Sequence, residues 1–177
     1  MAVINVTSEI GKLKKVLLHR PGKELLNLTP DKLDELLFDD IPFLKVAQKE
    51  HDAFADILSK NGVEVVYLED LAAEAVSQSA EIREKFIKQY INEADIYSEY
   101  YQKMIYDFLN GIKDPKELIL KTMEGVNANE IPFKNTHSLS HYVLDSGSMI
   151  INPMPNLYFT RDPFACIGNG VSLNKMY

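Results

Sequence analysis

The apolar residues of this chain change their rhythm twice, and each change marks a boundary. Residues 14–19 alternate poorly but are apolar around Val16, Leu17 and Leu18, which predicts a buried strand. Arg20-Pro21-Gly22 ends it with turn chemistry. Thr29-Pro30-Asp31 reads as a helix start, a hydroxyl cap followed by proline at the first helical position, with Leu33, Leu36 and Leu37 on one side of a short helix. After Pro42, the residues Phe43, Val46, Ala47, Phe54, Ile57 and Leu58 recur at helical spacing until Asn61-Gly62 stops them. Residues 63–68 form a second predicted strand, so strand, helix and strand make one α/β unit.

From Glu69 to Gly125 the period is near 3.6, and proline occurs once, at Pro115. Helices are expected over 69–77, 80–92, 96–110 and 115–124. Tyr90, Tyr97, Tyr100, Tyr101 and Tyr106 form a stripe, which at this spacing reads as bundle core rather than a ligand box. Residues 125–148 are loop-rich. Short strands are expected at 149–151, 158–161 and 164–167, and Gly168-Asn169-Gly170 reads as a hairpin turn into Val171-Ser172-Leu173. The expected organisation is a first α/β part at 1–69, a helical insertion with its loop at 70–147, and a return to the α/β core at 148–177.

Composition narrows the class without naming a function. Hydrophobic residues make up 46% and charged residues 25% of the 177, an ordinary globular balance. A formal charge of -7 argues against nucleic acid or an anionic membrane as the main partner. No apolar run reaches the about 18 residues needed to span a bilayer. The opening Met-Ala-Val-Ile-Asn-Val lacks the basic start of a signal peptide, and a single cysteine cannot close an internal disulfide. A cytoplasmic location is the expectation.

Chemistry concentrates in Pro153-Met154-Pro155-Asn156-Leu157-Tyr158-Phe159-Thr160-Arg161-Asp162-Pro163, which sets an amide, an aromatic ring and a carboxylate close together. A carboxylate meets a planar cation such as guanidinium with two parallel charge-assisted hydrogen bonds. The same residues can be read as an exposed Arg-Asp pair on a strand, or as Asp162 capping the turn at Pro163. Phe159 and Asp162 would face opposite sides of a regular strand, so both reach one pocket only if the strand bulges or ends near Arg161. Cys166 lies between Ala165 and Ile167 and reads as structural, not nucleophilic. His137 and His141 have the spacing of helical metal ligands, but no third ligand accompanies them, and no metal site is expected. Gly168-Asn169-Gly170 lacks the lysine of a phosphate loop.

The pattern P-N-x-x-F-T-R-D resembles a signature of the arginine deiminases, within the guanidine-modifying (pentein) superfamily. The segment from Ser8-Glu9-Ile10-Gly11 to His19-Arg20-Pro21-Gly22 resembles the family's opening strand. Glu35-Leu36-Leu37-Phe38-Asp39-Asp40-Ile41-Pro42 and Val46-Ala47-Gln48-Lys49-Glu50-His51-Asp52-Ala53-Phe54 resemble its first helical segment, and Gly170 to Tyr177 the strand after the binding motif. The resemblance implies part of an α/β-propeller core of ββαβ modules with an inserted helical bundle. It implies conversion of L-arginine and water to L-citrulline and ammonia through an amidino-cysteine intermediate, with no cofactor.

By the same resemblance, Asp162 binds the substrate guanidinium, Asn156 helps hold its amino-acid end, and Phe159 and Leu37 line the pocket. Family members are much longer. Their nucleophilic cysteine, histidine and carboxylate-binding arginine match no position here, so this N-terminal portion alone is expected to be inactive, and the full-length enzyme to be a homo-oligomer. Two alternatives remain open: another pentein amidinohydrolase or amidinotransferase, or a non-catalytic interaction module using the helices.

Overall fold

The computed structural model of the chain describes residues 4–131 and 149–174, a mixed α/β arrangement of five α-helices and three two-stranded sheets among those residues. Strand β1 (Lys15–Leu18) pairs in parallel with β2 (Glu64–Tyr67), in the register Leu17↔Val66 and Leu18↔Tyr67. Helix α1 (Leu44–Lys60) makes the crossover between them. It ends as its sequence dictates: Gly62 takes φ 78°, and its N–H and that of Val63 reach back to the carbonyls of Ser59 and Leu58.

Four helices follow without a break. They are α2 (Leu68–Ser77), α3 (Ala80–Glu93), α4 (Glu99–Gly111) and α5 (Pro115–Glu124). Ser79 Oγ accepts from Ile82 N, and Asp114 Oδ1 accepts from Lys116 N with Pro115 at the first helical position. These caps place the boundaries of α3 and α5 within a residue of those the sequence predicts.

The main core lies here. Ile87, Tyr90 and Ile91 of α3 pack with Ile105 and Leu109 of α4, Leu118 of α5, and Val126, Ile131 and Ile151. Val126 belongs to β3 (Val126–Asn127), which pairs with β4 (Met149–Ile151); β3 falls where the sequence reading expects loop. The close approach of these strands needs glycine at 125. Its φ is 82°, and a Cβ there would meet the Ile151 carbonyl oxygen at 2.6 Å.

The tyrosine stripe meets its expectation only in part: Tyr90 belongs to the core and Tyr106 packs against it. Tyr90 is buried and donates its hydroxyl to the Thr122 carbonyl, while Tyr97 is 88% exposed and Tyr100 lies at the surface. Aliphatic side chains fill most of the core around Tyr90, whose hydroxyl is satisfied by a carbonyl.

Beyond β4, a short 3-10 helix (Pro155–Tyr158) leads to β5 (Phe164–Ile167) and β6 (Gly170–Leu173), an antiparallel hairpin across Gly168-Asn169. Val6 exchanges backbone hydrogen bonds of 2.8 and 2.7 Å with Gly168, tying the N-terminal segment to that hairpin. Among the described residues, no helix is long and apolar enough to cross a membrane.

Candidate functional site

The segment carrying the candidate site is a run of turns, not the strand expected at 158–161. Pro153 and Pro155 have no N–H to give a ladder, and Pro155 opens the 3-10 helix. Leu157 N then bonds the Met154 carbonyl, Phe159 N the Asn156 carbonyl at 2.9 Å, and Asp162 N the Phe159 carbonyl at 3.0 Å. Phe159 and Asp162 are therefore the first and last residues of one turn. That removes the conflict strand alternation would have imposed on their sharing a pocket.

Long-range hydrogen bonds seat these turns. The Thr160 hydroxyl donates to the Leu17 carbonyl of β1 at 3.1 Å. Asn156 Nδ2 donates to the Leu36 carbonyl at 3.0 Å, and Asn152 Nδ2 to Glu35 Oε1 at 3.0 Å. The helix expected from Thr29 is correspondingly cut short. Only Pro30–Lys32 is helical, as a 3-10 turn, and Thr29 makes no side-chain cap. The chain reverses through 33–38 with Leu37 at φ 59° and its side chain 77% exposed, so Leu37 is not on a helix face. A left-handed leucine costs about 1–3 kcal/mol and persists only where its surroundings hold it. The grip of Asn156 and Asn152 on that turn is such a restraint, and it brings Leu37 into the same neighbourhood as Asn156.

Asp162 stands at the exposed end of the run. Among the described residues its carboxylate makes no hydrogen bond and no ion pair, so it does not cap the turn at Pro163. Asn174 holds that turn instead: its Nδ2 donates to the Asp162 carbonyl at 3.0 Å and its N–H to the Pro163 carbonyl at 2.8 Å. Arg161 pairs with Glu9, away from Asp162. Phe159 is half-exposed and meets Tyr158 edge-on, with centroids 5.3 Å apart. Cys166 sits half-buried in β5 opposite Val171 with a free thiol. His137 and His141 lie outside the described residues, among which no side-chain cluster fits a metal ion.

These residues lie on one stretch of turns and on the 33–38 turn that it grips. Among the described residues the Asp162 carboxylate and the side-chain Oδ1 of Asn156 accept no hydrogen bond, and with the Phe159 ring they are the groups suited to a planar cation and an ammonium group. Surface grooves along α3 and α4, lined by Lys88 and Asn92, include none of them.

A second group, past the carboxyl end of β1, escapes the sequence reading. His19 follows β1 and is 1% exposed; its Nδ1 lies 3.0 Å from Glu69 Oε2 and its Nε2 3.1 Å from Glu24 Oε1. Burial alone would lower its pKa, but the hydrogen bonds and charges of Glu24 and Glu69 outweigh it and raise the value to about 9. The ring is therefore an imidazolium at neutral pH. Glu69 lies in the first turn of α2, where the helix dipole favours an anion. Beside it, Arg20 makes a two-pronged pair with Asp52 at 2.7 and 2.8 Å.

His51 is buried between Tyr67 and Tyr158, with centroids 6.1 Å from each, and burial lowers its pKa. Among the described residues, no hydrogen-bond partner reaches its Nδ1. One signal was available: His19 and Glu69 fall just past the carboxyl ends of two parallel strands, where α/β folds gather functional groups.

A family model described as Arginine deiminase matches residues 34–177. The chain is 98% identical over 177 residues to the arginine deiminase of Treponema denticola, a match covering 100% of this chain and 43% of that protein. It is 59% identical over 176 residues to the arginine deiminase of Streptococcus agalactiae, covering 98% of this chain and 43% of the relative. To that of Clostridium perfringens it is 54% identical over 173 residues, covering 98% and 42%. The chain thus spans less than half the length of these relatives.

Proposed function

We propose that this chain, which belongs to the arginine deiminase family, supplies one wall of the site at which the whole protein hydrolyses L-arginine to L-citrulline and ammonia. The observation that carries this reading is the Asp162 carboxylate, exposed and without a partner among the described residues, at the end of a turn that also bears Phe159. Its two oxygens match the fork of a guanidinium, hold it cationic and fix the plane of its central carbon. Phe159 covers the guanidinium, the side-chain Oδ1 of Asn156 accepts from the α-ammonium, and Leu37 closes the apolar stem.

The chemistry completes in the part of the relatives this chain does not span. A cysteine thiolate there attacks the guanidinium carbon, a histidine protonates the departing ammonia, and water then cleaves the amidino-thioether to release citrulline and the thiolate. Metal and organic cofactors have no step in this scheme. The β1–α1–β2 unit and the β5–β6 hairpin are pieces of an α/β propeller into which α2 to α5 are inserted. The whole enzyme works in the cytoplasm as a homo-oligomer.

The test uses the full-length protein and the 177-residue chain side by side, with arginine as substrate and citrulline as the readout. The full-length protein should turn over, and its Asp162→Ala variant should lose at least about 100-fold in kcat/KM, as removal of an orienting charge does. The chain alone should form none. Wild-type kinetics in Asp162→Ala would overturn the role of Asp162, and citrulline from the chain alone would overturn the division of the site.

A further inference from the structure

The turn that ends in Asp162 does not rest on a strand ladder. Its grip on the sheet is the Thr160 hydroxyl, which donates to the Leu17 carbonyl of β1 at 3.1 Å. Two residues further along β1's path, His19 is locked by Glu24 and Glu69, both buried. Glu24 Oε1 also accepts from Gly22 N at 2.5 Å, which pins the chain as it leaves the strand. Glu69 stands two residues past the end of β2, so one imidazole fastens the carboxyl ends of both parallel strands. The same sheet end meets the candidate site a second time, through His51 packed between Tyr67 at the end of β2 and Tyr158 of the turn segment. None of these groups has a part in the proposed reaction.

We propose that Thr160 and His19 are positioning residues. The His19–Glu24–Glu69 cluster fixes the end of β1, the Leu17 carbonyl holds the Thr160 hydroxyl, and that bond sets where the Asp162 carboxylate stands. The physical reason is directional. Buried, fully satisfied polar networks specify one geometry, whereas the apolar side chains of β1 and β2 are only half-buried. A displacement of about 1 Å at a substrate-orienting group can cost up to about 100-fold in rate. This inference rests on the deiminase reading for its kinetic test, and a second readout stands apart from it.

In the full-length protein, Thr160→Val keeps the shape and removes the hydroxyl. Its kcat/KM for arginine should fall about tenfold or more, Thr160→Ser should recover to within about threefold of wild type, and the Asp162 amide should exchange faster in Thr160→Val. His19→Gln should also lower kcat/KM, and the double variant should lose much less than the product of the two single losses, since both act through one path. Wild-type kinetics and exchange in Thr160→Val would overturn the inference, as would multiplicative losses in the double variant. If His19→Gln does not fold, the Thr160 pair decides alone. If the wild type forms no citrulline, the deiminase reading fails, and the exchange of the Asp162 amide still decides whether Thr160 positions the turn.

Discussion

The helical region and the strand-bearing region of this chain are held together by different forces. Across α3, α4, α5, β3 and β4, buried aliphatic residues form a continuous core. Around β1, β2, α1 and the 155–173 segment, large apolar side chains remain at the surface: Phe43 is 68% and Ile57 60% exposed, and Phe54, Ile167 and Leu173 are exposed with them. There the cross-links are polar, from His19 with two glutamates to Arg20 on Asp52, Thr160 on Leu17 and Asn156 on Leu36. Apolar burial is strong but non-directional, and hydrogen bonds add little net energy but fix angles. The candidate site lies in the second region, where direction matters more than cohesion.

The sharpest test of that division is a cavity. Leu109 is fully buried between helices, so Leu109→Ala in the 177-residue chain should cost about 2–5 kcal/mol of unfolding free energy. Urea unfolding followed by circular dichroism measures it. A loss below about 1 kcal/mol would mean the helical core is loosely packed, and the contrast with the strand-bearing region would disappear.

The same division governs what could be read from the sequence. Helix α5 was legible to its last residue because Asp114-Pro115 and Gly125 punctuate it locally. Strand β5, bounded by Pro163 and Gly168, was legible for the same reason. The helix expected at Thr29 failed because bonds from Asn152 and Asn156 reach back more than a hundred residues and reverse the chain at Leu37. The strand expected at 158–161 failed because a 3-10 helix and a following turn take up the backbone from Pro155 to Asp162. His19 was missed for a related reason. Glu69 stands fifty positions away, and no local period joins them. The P-N-x-x-F-T-R-D pattern marked the candidate residues, but only the fold shows that turns bring Phe159 and Asp162 together.

Titration of His19 sharpens the comparison at the next lower magnitude. In the fold its pKa is raised to about 9 from 6.5, because Glu24 and Glu69 overcome the opposing effect of burial. The folded value exceeds the unfolded one, so the stabilisation is complete below the unfolded pKa and is lost as pH rises through about 9. The size is about 3 kcal/mol at one pKa unit per about 1.4 kcal/mol. Burial raises the pKa of Tyr67, which moves its titration away from this window. Unfolding free energies measured from about pH 6 to about pH 10 should therefore fall in the wild type, and the fall should be largely absent in His19→Gln. An equal fall in both would show that His19 is not the group that titrates.

The smallest expected effect tests the other side of the contrast. On α1, His51 and Ala55 are buried while Val46, Phe54 and Ile57 are exposed, as is Phe43 just before it. Ile57 is already mostly in water, so replacing it removes little buried area. Glutamine has a slightly better helix propensity than isoleucine, which offsets part of what is lost. Ile57→Gln in the 177-residue chain should thus shift unfolding free energy by no more than about 0.5 kcal/mol in either direction. The same urea titration used for Leu109→Ala measures it. A loss near that of the Leu109 cavity would require Ile57 to be buried in solution, and the strand-bearing region would then have a hydrophobic core of its own.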